Sequence, residues 1–404
     1  MLSFFPTPYE DELWYSVLSR YHLYSGNTFP IDTIRELFHG KSRADIGTAT
    51  PDGFMSEVFE QLPEGMFCYE DLITKHTMFN YYTRIRPLSV KIELMKKSRE
   101  GKALPRNNAN LKMKTSSLKC CPLCVQEEVS AHGEAYWHVS HQPELSFICL
   151  KHRCRLIVYE AQNKNELDAR LILPHQIGHS EDVSFNYTDN EMALTEASTK
   201  YLKLPIEYCP DPNFNNLITG LVNAGYGIVT KKMWAININL LAADLEAYLG
   251  KTMYDLYFRT DIERQKIPTL VRNWKTYAER FVILCAFLGQ DPEVTFGTEA
   301  IPNRIEEAFY YQKRIYAGKY KKDIADSVGI KEWQLEILAT YLGEKKFWYT
   351  REQNRKATLN LRIDEALNRR LKKFLSDNQI ATCSPFVEIA IKEALDRRDC
   401  EKKD

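Results

Sequence analysis

The sequence lacks several features that would settle its class at once. Its 404 residues contain no run of about 18 apolar side chains, which argues against a membrane span. Its 54 basic and 54 acidic residues cancel, so net charge gives no general argument for a polyanionic partner. The opening segment MLSFFPTPYEDELW reaches two prolines and three acids before any apolar core and is unlike a signal peptide. We therefore expect a cytoplasmic protein.

Motifs for catalysis and for nucleotide binding are also missing. The segment LEAYLGKT ends like a phosphate-binding loop, but Leu245 stands where that loop needs its first glycine. We find no acidic motif of the kind that gathers magnesium for phosphoryl transfer. His132, His138 and His141 lie close to a metal-type motif, where histidines usually pack or cap loops. We expect that the chain is not an enzyme.

Cysteine is scarce but clustered. Of 10 cysteines in 404 residues, five fall with one histidine into a short stretch: Cys120, Cys121, Cys124, Cys149, Cys154 and His152. In a reducing cytosol, clustered cysteines hold a metal more often than they form disulfides.

The spacing of this cluster predicts a zinc site. Cys121-x2-Cys124 and Cys149-x2-His152 each present two ligand atoms from one tight turn, as in treble-clef or ribbon-like modules. Three cysteines and a histidine occupy all four coordination positions of a tetrahedral ion. The site should therefore be structural and should stabilise folding. Cys120 and Cys154 lie just outside the pattern and are alternative ligands.

Basic residues are distributed unevenly. Between residues 81 and 119 there are 11 lysines and arginines against two acids, Glu93 and Glu100. This stretch is either a solvated helix and linker face or a phosphate-contacting surface.

Hydrophobic periodicity predicts a mainly α, multidomain chain. YEDELWYSVLSRYHLYSGN has apolar residues at helical spacing and a stop at Gly26, and PIDTIRELFHG follows with Asp32 as a cap and Gly40 as its end. Short strands are expected in AYWHVSHQ and CRLIVYEA, on either side of the metal turns. Helices resume after about residue 190.

A helix-turn-helix pattern occupies residues 311–350. In GKYKKDIADSVGIKEWQLEILATYLG, Ala325 permits close approach of two helices, Gly329 supplies the turn, and Leu335 closes a small core. The expected DNA contacts are Lys321, Lys322, Lys331 and Gln334. A helical hairpin without a nucleic-acid role is the alternative.

The C-terminal tail, residues 351–404, has the pattern of a ribbon-helix-helix fold. Alternation in KATLNLRI places Thr358, Asn360 and Arg362 on one polar face, and Asp364 caps a helix to about Asp377. In that fold two chains pair their strands and read the major groove, so a homodimer follows. Asn360 suits adenine and Arg362 suits guanine. The alternative is a capping helical hairpin with an edge strand.

These patterns divide the chain into five predicted domains. Residues 1–115 form a helical N-terminal domain, 116–190 a zinc-knuckle or ribbon module, and 191–310 a helical middle domain. Residues 311–350 and 351–404 hold the helix-turn-helix and the ribbon-helix-helix tail.

The segments FFPTPYEDELWYSVLSRY, KHTMFNYY and CPLC…GEAYW…HQPELSFICLKHRCRL resemble the TniQ/TnsD family of transposon target-selection proteins. The resemblance is strong over about residues 1–160 and looser to about residue 290. It implies a non-catalytic, nucleoid-associated protein that recognises an attachment site on double-stranded DNA and recruits a TnsC-like AAA+ ATPase. It carries over the zinc ligands Cys121, Cys124, Cys149 and His152, and it places the ATPase contact broadly in the N-terminal segment.

Two alternatives stay open within this resemblance. A shorter kind of relative docks on an RNA-guided CRISPR effector complex and leaves target reading to the guide; the two extra C-terminal elements favour direct reading. His175 and His179 form either a second metal site or, as we expect, ordinary loop histidines.

Overall fold

A computed structural model of the chain describes residues 2–42, 53–102, 117–161, 166–177, 183–209, 215–229, 234–259, 278–302, 321–323, 331–333 and 363–377, together with single residues 335, 387, 390, 391 and 393. The chain divides into two compact units, Met1–Trp348 and Tyr349–Asp404. The described residues are mainly helical, as the sequence predicts, and the domain boundaries stay predictions.

In the N-terminal part, residues 2–42 and 53–102 contain the helices α1 (Trp14–Ser25), α2 (Pro30–Leu37), α3 (Gly53–Phe59), α4 (Tyr69–His76), α5 (Phe79–Thr83) and α6 (Leu88–Arg99). Helix α1 is confirmed with its stop, because Gly26 has a positive φ of 76°. The cap predicted for α2 is wrong. Phe29 occupies the N-cap position, with proline at the start of the helix, and Asp32 lies in the first turn paired with Arg35.

The next segment contains β1 (Ser117–Cys120), α7 (Pro122–His132), β2 (Ile157–Glu160) and α8 (Glu166–Arg170). Strands β1 and β2 pair antiparallel, with Cys120 opposite Ile157. The strand predicted in CRLIVYEA is confirmed as β2, whereas the one predicted in AYWHVSHQ is wrong. That segment makes a single bridge from His138 to Glu12 and then a short 3-10 turn, Val139–His141.

The middle of the chain begins with α9 (Asp189–Lys203), capped by Thr188 and Glu191 in a reciprocal capping box. It continues with α10 (Asn215–Asn223), an antiparallel pair β3 (Gly227–Val229) and β4 (Trp234–Ile236), α11 (Ile238–Leu249) and α12 (Lys251–Tyr254). A π-helical turn (Asp255–Arg259) follows, then α13 (Ala278–Leu288) and α14 (Pro292–Phe296). One large hydrophobic core joins these helices to the N-terminal part, with Tyr81, Tyr201 and Phe281 fully buried.

In the second unit, the described residues include α15 (Glu365–Asp377). The Leu367 N–H donates to Asp364 Oδ1 at 2.8 Å, which confirms the predicted cap and the predicted end of this helix. Among the described residues, no helix is both long enough and apolar enough to cross a membrane.

Candidate metal centre

The two predicted ligand pairs meet at one point. Cys121, Cys124, Cys149 and His152 place their ligand atoms within 4.8 Å of one another, and the three thiols are buried. The Nδ1 atom of His152 lies 3.4 Å from Cys121 Sγ, 3.3 Å from Cys124 Sγ and 3.6 Å from Cys149 Sγ. The Cys124 and Cys149 sulfurs are 3.7 Å apart.

These distances are those of a tetrahedral metal site. An ion with sulfurs at about 2.3 Å and a nitrogen at about 2.05 Å holds its sulfurs roughly 3.8 Å apart and its sulfur–nitrogen pairs about 3.5 Å apart. The cluster matches both spacings. The four side chains can therefore hold a metal ion.

Each ligand pair is presented by a turn with its own backbone support. Cys121 is the N-cap residue of α7, and its sulfur accepts from the Cys124 N–H at 3.4 Å. In the second turn the Cys149 N–H donates to the Cys154 carbonyl, and the Arg153 N–H donates to the Cys149 carbonyl, each at 2.8 Å. Arg153 adopts a positive φ of 54° to close this turn.

A carboxylate outside the ligand set orients the histidine. His152 Nε2 lies 2.9 Å from Glu127 Oε1, and Glu127 also pairs with Lys151. Because a carboxylate only accepts, Nε2 carries the proton and Nδ1 is left to face the sulfurs. Sequence spacing did not reveal this partner, which lies 25 positions before His152 on helix α7.

The two alternative cysteines lie in different surroundings. Cys154 packs with the ligands, and its sulfur is 3.4 Å from Cys121 Sγ. Cys120 belongs to the main hydrophobic core, where burial raises the pKa of its thiol to about 12. Among the described residues, Cys154 is therefore the closer substitute ligand, and Cys120 is a packing residue.

A half-buried histidine joins helix α7 to the N-terminal segment. His138 Nε2 lies 2.6 Å from Glu128, and Nδ1 lies 3.4 Å from Asp11. Burial alone would lower the pKa of His138, but hydrogen bonds to Asp11 and Glu128 outweigh it and raise the pKa to about 9. His138 is thus a charged link, and it packs as the sequence led us to expect.

The GEAYW segment is a second link to α1. Glu134 accepts from Arg20 Nε at 2.6 Å, and Arg20 also donates to Glu12 at 2.9 Å. The Trp137 N–H donates to Ser16 Oγ, and its carbonyl accepts from the Leu13 N–H. These contacts fix the GEAYW segment against the first helix of the chain.

Three basic side chains of the stretch between residues 81 and 119 are hydrogen-bonded to backbone carbonyls of the protein itself. Arg84 is fully buried and donates to the carbonyls of residues 202, 204, 205 and 208. Lys91 is buried and donates to the carbonyls of Ile206 and Tyr208 at 2.8 and 2.9 Å, and Lys119 donates to those of Pro143 and Ser146. These three cations satisfy backbone carbonyls and cannot reach a phosphate.

The predicted DNA contacts fall only partly within the described residues. Lys321 forms an ion pair with Glu332 at 3.2 Å, and Lys331 lies over the Tyr226 ring at 5.3 Å. Lys322 is described as helical, and Leu335 is fully buried. Gln334, Thr358, Asn360 and Arg362 lie outside the described residues, and the whole set stays a prediction.

The two loop histidines are not brought into a metal group in the described part of the chain. His175 Nδ1 lies 3.1 Å from the Ala135 N–H and so accepts a hydrogen bond from the GEAYW segment. His179 lies outside the described residues. A further set of metal-type atoms, Cys124, Glu128 and His138, overlaps the main cluster, and its histidine and glutamate are already bonded to each other.

Comparison with known families finds a match over the segment that contains the four predicted ligands. Residues 3–156 match the TniQ family model, a range that includes α1 and all four ligands. This part of the chain is similar to the TniQ family, which confirms the resemblance inferred from the sequence.

A relative with a described role is the transposon Tn7 transposition protein TnsD of Escherichia coli. The two sequences are 26% identical over 208 residues, which is 49% of this chain and 39% of the relative. The chain therefore matches well under half of that protein's length.

Proposed function

We propose that this protein selects a target site for a transposon by binding double-stranded DNA directly and recruiting a TnsC-like AAA+ ATPase. The observation that carries the proposal is the TniQ domain over residues 3–156 together with the similarity to a TnsD transposition protein. In this role the chain is not an enzyme. It brings a DNA sequence and an ATPase together.

We propose that the metal is zinc and that its role is structural. All four ligand positions belong to the protein, so no position stays open for water or substrate. The Glu127 carboxylate supports the histidine, as is usual around zinc. The ion would hold the turn at Cys121 to the turn at Cys149 and thereby support the contacts to α1.

DNA reading is assigned to the parts of the chain after the TniQ domain. Lys321, Lys322, Lys331 and Gln334 of the helix-turn-helix, and Thr358, Asn360 and Arg362 of the tail, are the proposed contacts. The internal hydrogen bonds of Arg84, Lys91 and Lys119 support this assignment, because they remove three cations from the stretch that competed for the same role. The tail is also the proposed site of homodimer formation.

Mapping of the DNA bound by the full-length chain tests this proposal. The chain is purified and incubated with fragmented genomic duplex, with and without the components of an RNA-guided effector complex. We expect enrichment of one site without guide components. Enrichment only when the effector complex and its guide are present would make the chain an adaptor instead.

Recruitment of the ATPase is tested separately on the same DNA. A TnsC-like ATPase is added to the enriched duplex with the chain present or absent, and its binding is measured by footprinting. We expect an extended footprint next to the bound site only when both proteins are present. An ATPase footprint that is independent of the chain would contradict the recruiting role.

A further inference from the structure

Two buried carboxyl groups share one arginine where the start of α1 meets the GEAYW segment. Arg20 donates from Nη1 to Glu12 Oε2 at 2.9 Å and from Nε to Glu134 Oε1 at 2.6 Å. Only 0% of Glu12, 1% of Glu134 and 5% of Arg20 is exposed. With both carboxyl groups ionised, the three side chains would carry a net negative charge away from water. Such a charge is costly to bury.

The hydrogen bonds of this group serve one oxygen of each carboxyl. The Tyr9 N–H donates to Glu12 Oε2 at 2.8 Å, and the Tyr9 hydroxyl donates to Glu134 Oε1 at 3.2 Å. Glu12 Oε1 and Glu134 Oε2 are buried and have no hydrogen-bond partner in the described part of the chain. An ionised carboxylate has two acceptor oxygens, and leaving one of them without a donor in a buried site costs free energy. The net charge and the hydrogen bonding therefore both favour a neutral carboxyl in this pair.

Among the described residues, the other titratable groups around this pair supply no second cation to it. They are Tyr9, Asp11, Tyr24, His76, Tyr136 and His138. Burial raises the pKa of Tyr9 and of Tyr136, and the adjacent Glu134 carboxylate raises the pKa of Tyr24, so the phenols stay neutral. Burial lowers the pKa of His76, and the charge of His138 is met by Asp11 and Glu128.

We propose that Glu12 holds a proton at this junction in the folded protein, and that loss of the proton as the pH rises destabilises the contact between α1 and the GEAYW segment. A neutral Glu12 leaves Arg20 and Glu134 as a balanced ion pair. Ionisation of Glu12 sets two carboxylates in competition for one guanidinium. This pH dependence is independent of the proposed DNA-targeting role.

The direction of the pH dependence follows from the pKa of Glu12. Burial raises that pKa from an ordinary value of 4.5 to about 7, and the attraction of Arg20 offsets the effect of burial only in part. The folded chain therefore binds this proton more tightly than the unfolded chain does. The resulting stabilisation is fully present below about pH 4.5 and is lost as the pH rises through about 7.

Infrared difference spectra of the full-length chain, recorded between about pH 5.5 and about pH 8, test the protonation of Glu12 directly. A carboxylic acid and a carboxylate absorb at different frequencies, so we expect the unaltered chain to lose a carboxylic-acid band with a midpoint close to pH 7. Burial also raises the pKa of Glu279 to about 7. The band of Glu12 is therefore identified by its absence in Glu12→Gln. Glu10→Gln, which alters a nearby exposed acid, is the matched control and should retain the band.

Urea denaturation at the same two pH values measures the effect on stability. Between them, the unfolding equilibrium constant of the unaltered chain should rise roughly thirtyfold more than that of Glu12→Gln, because only the unaltered chain loses the proton. Glu134→Gln leaves Arg20 to a single carboxylate and should lower the pKa of Glu12. Most of this pH dependence should then disappear.

Either glutamine variant is sufficient for a decision if the other fails to fold. A spectrum of Glu12→Gln that retains every carboxylic-acid band of the unaltered chain would overturn the proposal. So would an unfolding constant that depends on pH equally in the unaltered chain and in Glu134→Gln.

Discussion

Helices α7 and α15 each follow a capping residue whose side chain accepts a hydrogen bond from the backbone N–H three positions later. The two helices differ in almost everything else. At α7 the cap atom is Cys121 Sγ, which is also a predicted metal ligand and is fully buried. At α15 the cap atom is Asp364 Oδ1, and none of the residues of that helix is buried.

The difference shows two ways in which a short helix is held in a folded chain. Helix α7 is fixed by contacts of Glu127 with His152 and of Glu128 with His138, and the proposed metal would fix it further. Helix α15 is amphipathic, yet Leu367 and Phe374 remain 46% and 43% exposed. A helix of this kind gains most of its stability from packing of its apolar face. The proposed dimer would supply that packing.

Removal of a predicted metal ligand at α7 should have the largest effect on stability. Cys121→Ser should release the ion and unfold the surrounding segment, because metal binding at such sites contributes on the order of 10 kcal/mol to folding. Thermal melting together with metal analysis measures both effects. Cys68→Ser, an exposed cysteine outside the cluster, is the matched control and should change neither.

The same measurement distinguishes the fourth ligand. Cys154→Ser should retain the metal, since His152 Nδ1 and the other three sulfurs complete the site. Loss of metal from the Cys154 variant and retention by a His152→Ala variant would make Cys154 the ligand in its place.

A second prediction concerns the internal cations of the first unit. Arg84→Met should lower the free energy of unfolding by about 3 kcal/mol, because four backbone carbonyls lose a charged donor in a buried site. Urea denaturation measures the change. Arg35→Met, which removes an exposed arginine paired with Asp32, should cost less than about 0.5 kcal/mol. Equal losses in the two variants would contradict the internal role of Arg84.

A third prediction concerns the tail as a DNA reader. Arg362→Ala should weaken binding to the selected site by roughly 1–3 kcal/mol and relax the preference at one base pair. Binding assays on a set of single-base variants of the site test this. Arg369→Ala, on the exposed surface of α15, is the control and should leave the preference intact. Uniform weakening across all sequences by Arg362→Ala would indicate a phosphate contact.

The smallest effect on stability is expected from removal of the tail. Deletion of residues 352–404 should weaken self-association and leave the melting of the first unit nearly unchanged, since that unit ends at Trp348. Sedimentation velocity measures the association. An unaltered sedimentation profile would argue against the ribbon-helix-helix assignment.

The sequence was most informative where structure is local. The two ligand pairs, the stop at Gly26 and the cap at Asp364 each depend on residues within a few positions, so spacing alone predicted them. The role of Glu127 was not predicted, because its carboxylate meets His152 only when the second ligand turn folds back onto α7. AYWHVSHQ alternates like a strand, but only His138 finds a bridge partner.

Composition alone did not predict the role of basic side chains whose charged groups are enclosed by the fold. Arg84, Lys91 and Lys119 count as basic residues in any linear reading, and a phosphate surface was one natural interpretation. In the fold they end at backbone carbonyls inside the first unit. Long-range packing of this kind has no signature in sequence spacing, because the carbonyl partners of Arg84 lie about 120 positions away.

Native mass spectrometry of the full-length chain, with metal identified by elemental analysis, tests the central claim most directly. A chain whose scaffold is fixed by three thiolates and one imidazole should carry one zinc ion and lose its native charge-state distribution when chelated. A folded, metal-free chain with an unchanged distribution would contradict the account.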